Sequence, residues 1–114
     1  MKPGQTFPNE LELAVLLAMF DPATDERWHP EKLHVLSRKF TGVGTYTEFS
    51  CNVGPDAKPS HRGIQKAISV PGVRNGLDAV LFLKDGRPDT LELVTFGTEL
   101  WDGTYDGFCI GSRG

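Results

Sequence analysis

Apolar residues follow two different spacings along this chain, and the first of them predicts a helix. Residues 11–20 are almost all apolar and are good helix formers. Asn9 precedes them as an N-cap, and Glu12 stands three residues later, where its carboxylate can reach back to the amide of the cap. The pattern predicts one helix that is buried on most sides and ends at Asp21-Pro22.

After the helix, apolar residues recur at every second position, which is typical of strands. Residues 33–40 and 43–51 both alternate in this way. In the second segment Thr45, Thr47 and Phe49 fall on one face. The stretch 52–63 is rich in Gly, Pro and polar residues, and it is predicted to be an exposed loop.

The C-terminal half predicts a hairpin around Asp85-Gly86. Residues 77–83 are apolar at both parities, which indicates a central strand covered on both faces. An Asp-Gly pair between two apolar runs favours a type I′ turn, and residues 90–96 supply the partner strand. Weaker strands are predicted at 64–70 and 108–110. Residues 1–114 therefore form one α+β domain, an N-terminal helix packed on a curved, mostly antiparallel sheet of four to six strands.

Composition and charge narrow the classes of function. The 114 residues are 39% hydrophobic and 24% charged, as in an ordinary globular domain, and the net charge is −3. A nucleic-acid-binding protein would carry a surplus of Lys and Arg, so no nucleic acid partner is expected. The longest apolar run, residues 13–20, is shorter than the about 20 residues that span a bilayer. Without a signal-peptide pattern, a cytoplasmic protein with no membrane partner is predicted.

Candidate catalytic groups are few. Cys51 and His61 are conceivable as a thiol–imidazole pair, but the sequence has no local signature of one, and a buried cysteine with a solvated histidine is the preferred interpretation. Neither the histidines nor the two cysteines show metal-ligand spacing, so no metal or cofactor is expected, and two cysteines 58 positions apart form no disulfide framework. Glu92 lies between two leucines on a predicted strand. It either points into a partly enclosed space with a raised pKa or faces solvent beside Lys84.

Acidic and aromatic residues in the loops favour a protein-binding function. The acidic residues would steer the chain toward a basic partner, and the aromatic residues would anchor the contact. The acidic set is Asp21, Asp25, Glu26, Asp102 and Asp106, and the aromatic set is Trp28, Trp101 and Tyr105. The leading interpretation is a non-enzymatic module that occludes another protein.

Two segments resemble small uncharacterised bacterial α+β proteins. One is PGVRNGLDAVLFLKDGRPDTLELVTFGTELW, residues 71–101, and the other is FTGVGTYTEF, residues 40–49. The matching positions of the longer segment are Gly76, Asp85, Gly86, Leu91, Glu92, Phe96, Gly97, Glu99 and Trp101. The resemblance implies an immunity protein or a similar accessory binder, and it implies no catalytic residue.

Two other functions stay open at this point. One is a small-molecule binder or minor enzyme with a pocket between helix and sheet, in which Glu92, Cys51 or His61 is the polar group. The other is a structural homodimer joined through an edge strand of the open sheet.

Overall fold

The computed structural model describes residues 7–19 and 29–112. A single helix in these ranges, α1 (Glu10–Met19), begins at the predicted capping box. The Asn9 amide donates to Glu12 Oε1 at 2.8 Å, and the Glu12 amide donates to Asn9 Oδ1 at 2.8 Å. The predicted helix end at Asp21-Pro22 lies outside the described residues. In the described ranges no helix has the length and apolar character to cross a membrane.

Seven strands follow a short 3₁₀ turn at Pro30–Lys32. Their bounds are β1 (Val35–Phe40), β2 (Gly44–Phe49), β3 (Pro59–Gly63), β4 (Lys66–Ser69), β5 (Leu77–Lys84), β6 (Arg87–Thr95) and β7 (Cys109–Ser112). They form one antiparallel sheet in the order β1-β2-β6-β5-β4-β7, and β3 also pairs with β5. The predicted α+β class is confirmed.

The predicted strand count of four to six is too low, and β3 explains the difference. It lies inside the segment that was predicted to be an exposed loop. All five of its residues are exposed, so its pairing with β5 rests on backbone hydrogen bonds and leaves no apolar alternation in the sequence. A strand of this kind is invisible to a hydrophobic pattern.

The β5–β6 hairpin turns at Asp85-Gly86 as predicted. Asp85 has φ 51° and Gly86 has φ 74°, the two positive values that a type I′ turn requires. The register that follows places Leu81 opposite Leu91. The hairpin therefore forms the middle of the sheet.

One face of the sheet, here called the inner face, carries the core. Thr45, Thr47 and Phe49 of β2 are buried on it, as the alternation predicts. Further buried residues come from α1 and from the two central strands: Leu11, Val15, Leu16, Leu77, Ala79, Leu81, Leu91 and Leu93. They belong to one cluster of buried apolar residues, which also includes Val35 of β1, Ile68 of β4 and Trp101.

The opposite, outer face is largely open. Phe82 on β5 is 40% exposed, so the predicted coverage of this strand on both faces is wrong. The helix is buried on most sides, as predicted, and among the apolar residues of α1 only Leu17 is exposed, at 48%. On β5, apolar residues on a second side gave the misleading signal.

Candidate binding site around Trp101

Residues 96–108, here called the C-terminal coil, fold back over one end of the inner face. The Trp101 amide donates to the Gly42 carbonyl at 2.9 Å, and the Thr95 hydroxyl donates to the Glu99 carbonyl at 2.6 Å. The Trp101 indole Nε1 donates to the Thr104 carbonyl at 2.9 Å. Trp101 is only 6% exposed. Its ring is therefore a wall between strand and coil and does not protrude as an anchor.

A groove of about 580 Å³ opens on one side of this wall, and it is here called the Leu100 groove. Its apolar lining comes from Trp101, Leu100, Pro71 and Val73. Leu100 is 77% exposed, although the residue that follows it is buried. The coil thus holds one leucine in solvent at the edge of an apolar depression.

One acidic residue lies at the rim of the Leu100 groove. Asp102 lines it, and hydrogen bonds from the side chain and the backbone amide of Thr104 lower the pKa of Asp102 below its ordinary value. Residues 97–112 include three acidic residues and no basic residue. Asp106, also in this segment, is exposed. The groove therefore combines an apolar lining with negative charge.

A second cavity, about 270 Å³, lies between α1, the sheet and the coil, and it is here called the polar pocket. Glu12 lines it and is 1% exposed. Four donors serve the two carboxylate oxygens of this residue. They are the Asn9 amide at 2.8 Å, Arg38 Nη2 at 2.6 Å, Arg38 Nε at 2.8 Å and the Thr47 hydroxyl at 2.6 Å. The buried charge is fully compensated.

The Arg38 side chain extends from β1 to the inner face, where its Nε and Nη2 donate hydrogen bonds to the Glu12 carboxylate. The hydrogen bonds to Glu12 raise the pKa of Arg38, burial opposes them, and the charges of Glu12 and Tyr105 add to the rise. The guanidinium is therefore permanently charged and fixed in place. Tyr105, half-buried, lines the same pocket from the coil.

Thr45 supplies a third polar group to the polar pocket. It is 4% exposed, and its hydroxyl has no hydrogen-bond partner among the described residues. Phe40 lies opposite it in the β1–β2 register and also lines the pocket. A buried hydroxyl without a partner lowers the stability of the folded state. Its presence beside a cavity therefore makes Thr45 a candidate contact for a ligand.

The predicted polar groups Glu92, Cys51 and His61 do not line the polar pocket. Glu92 faces the outer side, where it pairs in register with Tyr46 and its hydrogen bond raises the pKa of that tyrosine. It is not beside Lys84, whose Nζ lies 3.7 Å from Asp89. Glu92 therefore lies outside the polar pocket and on the open outer face, as the alternative predicted, but its neighbour there is Tyr46 and not Lys84.

The other two groups are also placed apart from the cavities described above. Burial raises the pKa of the half-buried Cys51 thiol, which reduces the thiolate that a nucleophile needs. His61 is exposed on β3, opposite Phe82. The described residues contain no group of three or more His, Cys, Asp or Glu able to hold a metal ion.

Of the predicted partner-binding residues, Trp101 and Tyr105 meet at the polar pocket, and Asp102 lies at the Leu100 groove. Three others, Trp28, Asp21 and Asp25, lie outside the described residues, as does Glu26. Sequence reasoning missed Arg38 and Thr45. The inward parity of Thr45 was visible in the alternation, but nothing in the sequence showed that its hydroxyl would lack a partner.

Comparisons with known proteins place no relative beside this chain: no family model, no curated protein and no solved structure matches it. The resemblance to small bacterial proteins therefore stays a prediction.

Proposed function

We propose that this protein is a non-enzymatic binding module of the immunity or accessory type, and that the Leu100 groove receives an apolar side chain of a basic protein partner. The observation that carries the proposal is the exposure of Leu100, 77%, beside an apolar depression. Complete burial of a leucine side chain contributes about 1.5–3 kcal/mol. A partner that covers Leu100 therefore gains a substantial anchor.

The segment that carries Leu100 is held in place before any partner arrives. Bonds of 2.9 Å from the Trp101 amide and 2.6 Å from the Thr95 hydroxyl fix the coil on both sides of Leu100. The Glu99 carboxylate also accepts the Arg74 amide at 2.6 Å. A preorganised surface loses little conformational entropy on binding.

Charge favours a basic partner. Asp102 at the rim and Asp106 in the same coil are exposed, and no basic residue occurs between positions 97 and 112. Complementary charges mainly accelerate association and select the partner, while the apolar contact supplies affinity. A stable interface buries about 1,200–2,000 Å² in total, so the groove is the centre of a wider contact.

The test compares two exposed leucines, one in the C-terminal coil and one on the sheet. A photo-crosslinking amino acid replaces Leu100 or, as the control, Leu36, which is 65% exposed on β1. The protein crosslinked at position 100 in the native lysate is then purified, and its affinity is measured for wild type, Leu100→Ser and Leu36→Ser. We expect Leu100→Ser to weaken binding at least about tenfold, which corresponds to about 1.4 kcal/mol, and Leu36→Ser to leave it unchanged.

The salt dependence of the association rate tests the charge argument. Association should slow as salt screens the acidic rim. Equal loss of affinity in both leucine variants, or an association rate indifferent to salt, contradicts the proposal. A crosslink found only between two copies of this chain would instead support the homodimer.

A further inference from the structure

The polar pocket offers hydrogen-bond donors that the fold does not use. Glu12 takes one hydrogen from Nε and one from Nη2 of Arg38, which leaves the Nη1 hydrogens without a partner in the described part of the chain. The Thr45 hydroxyl, 4% exposed, has no partner there either. Both residues line the cavity. A hydroxyl can donate or accept, but a guanidinium only donates, so the one group that could serve both residues is a hydrogen-bond acceptor.

The charge balance of the polar pocket favours an uncharged acceptor. Glu12 and Arg38 already neutralise each other, with Arg38 Nη2 2.6 Å from Glu12 Oε1. A carboxylate ligand would bring a second negative charge next to the buried Glu12. A cation would meet the fixed guanidinium and find both Glu12 oxygens occupied by donors. A carbonyl oxygen avoids both repulsions.

The size and walls of the pocket favour a single ring. Its apolar lining comes from Leu11, Leu93, Phe40 and the Trp101 ring. The volume of about 270 Å³ exceeds the roughly 150 Å³ that suffices for benzene in an engineered cavity. Aromatic walls favour an aromatic ligand through edge and face contacts.

We infer that the polar pocket is a binding site for a small, uncharged aromatic carbonyl compound, whose oxygen accepts from Thr45 and Arg38 and whose ring packs against Trp101. This site is separate from the proposed protein contact, because it uses the interior between α1 and the coil, although Trp101 lines both. It corresponds to the pocket between helix and sheet considered from the sequence, with Thr45 and Arg38 as its polar groups in place of Glu92, Cys51 or His61.

The experiment titrates the full-length, ¹⁵N-labelled protein with four single-ring probes and follows the Trp101 indole N–H by NMR. Benzamide carries the uncharged carbonyl, benzoate the anion, benzylamine the cation, and toluene lacks an acceptor. We expect saturable shifts with benzamide and at least about fivefold weaker binding of the other three probes, which is the size of effect that one well-placed neutral hydrogen bond produces.

Two variants locate the contact. Thr45→Val keeps the side-chain volume and removes the hydroxyl, and it should weaken benzamide binding about fivefold or more. Thr90→Val, on the outer face of β6, is the matched control and should leave the affinity unchanged. A thermal unfolding curve verifies that both variants fold.

Three results would overturn the inference. They are the absence of a saturable shift with benzamide, equal binding of toluene or benzoate, and undiminished benzamide binding by Thr45→Val. The last two would mean that the hydroxyl and the charge balance do not select the ligand. None of these results bears on the Leu100 groove, so the two proposals fail separately.

Discussion

The helix and the C-terminal coil cover neighbouring parts of the inner face, here called the helix half and the coil half. The buried threonine hydroxyl of the helix half has a hydrogen-bond partner, and that of the coil half has none among the described residues. Thr47 and Thr45 stand two residues apart on β2 with the same orientation, and both are buried. The Thr47 hydroxyl donates to the carboxylate of Glu12 at 2.6 Å. Near the coil, the Thr45 hydroxyl lacks a partner among the described residues and borders a cavity.

This difference separates a region organised for stability from one organised for contact. In the helix half both oxygens of the buried Glu12 carboxylate accept hydrogen bonds, so local unfolding there costs much free energy. The coil half keeps an orphan hydroxyl at the polar pocket, which weakens the folded state unless something binds, and it leaves one leucine in solvent. Substitutions in the two halves should therefore have effects of different size and sign.

The largest effect is expected from Glu12→Gln in the helix half. Glutamine can still close the capping box with Asn9, so the substitution mainly removes the charge that pairs with Arg38. Loss of one partner of a fully buried pair costs about 3–5 kcal/mol, and we expect about 2–3 kcal/mol here because Arg38 is 23% exposed. Urea unfolding at neutral pH measures the change.

The control for this prediction is Glu10→Gln, which removes an exposed charge from the same helix turn. Its only expected loss is the interaction with the helix dipole, about 0.3–1 kcal/mol. Similar destabilisation by both variants would show that the helix terminus, and not the pair with Arg38, holds this half together.

The same substitution at the two threonines should have opposite signs. Thr47→Val deprives the Glu12 carboxylate of a donor and should lower the free energy of unfolding by about 1–2 kcal/mol. Thr45→Val removes a hydroxyl that has no described partner and should raise it by up to about 1 kcal/mol. Paired urea curves for both variants measure this. Destabilisation by both variants would show that the two hydroxyls contribute to stability alike and that the two halves do not differ in this respect.

The contrast also shows which features a sequence can reveal. The capping box and the Asp85-Gly86 turn were predictable because their residues are within three positions of each other. Arg38 meets Glu12 across 26 positions, and no local pattern encodes that pairing. The inward parity of Thr45 was readable, but its missing partner depends on how the coil folds back.

Glu92 illustrates a second limit of prediction from the sequence. A strand's own alternation shows which residues share a face, but whether another layer covers that face depends on the rest of the fold. Here the side with Tyr46 and Phe82 is open, with both residues 40% exposed, and Glu92 has solvent access beside Tyr46. The interpretation of Glu92 as a pocket residue required a second layer, which the described residues do not form on this side.

The smallest effect is expected from Asp102→Asn, which tests whether hydrogen bonds within the coil stabilise its turn at Asp102. Asparagine keeps the oxygen that accepts the Thr104 amide at 2.9 Å but loses the charge. Because the hydrogen bonds from Thr104 lower the pKa of Asp102 below its ordinary value, its stabilising contribution is present above the unfolded-state pKa and disappears as the pH falls through the lower folded-state pKa. The acid-side slope of stability should be slightly shallower in the variant.

Urea midpoints measured on the acid side, with an NMR titration of the Asp102 carboxyl, check this direction. Asp106→Asn is the matched control, since it removes an equal charge four positions along the same exposed coil. If both variants change the slope alike, the Thr104 bonds do not fix the turn, and the coil is not preorganised. If only Asp102→Asn changes it, the coil holds its own turn independently of the helix half. A firm coil beside an imperfectly filled pocket is the arrangement that favours binding over stability.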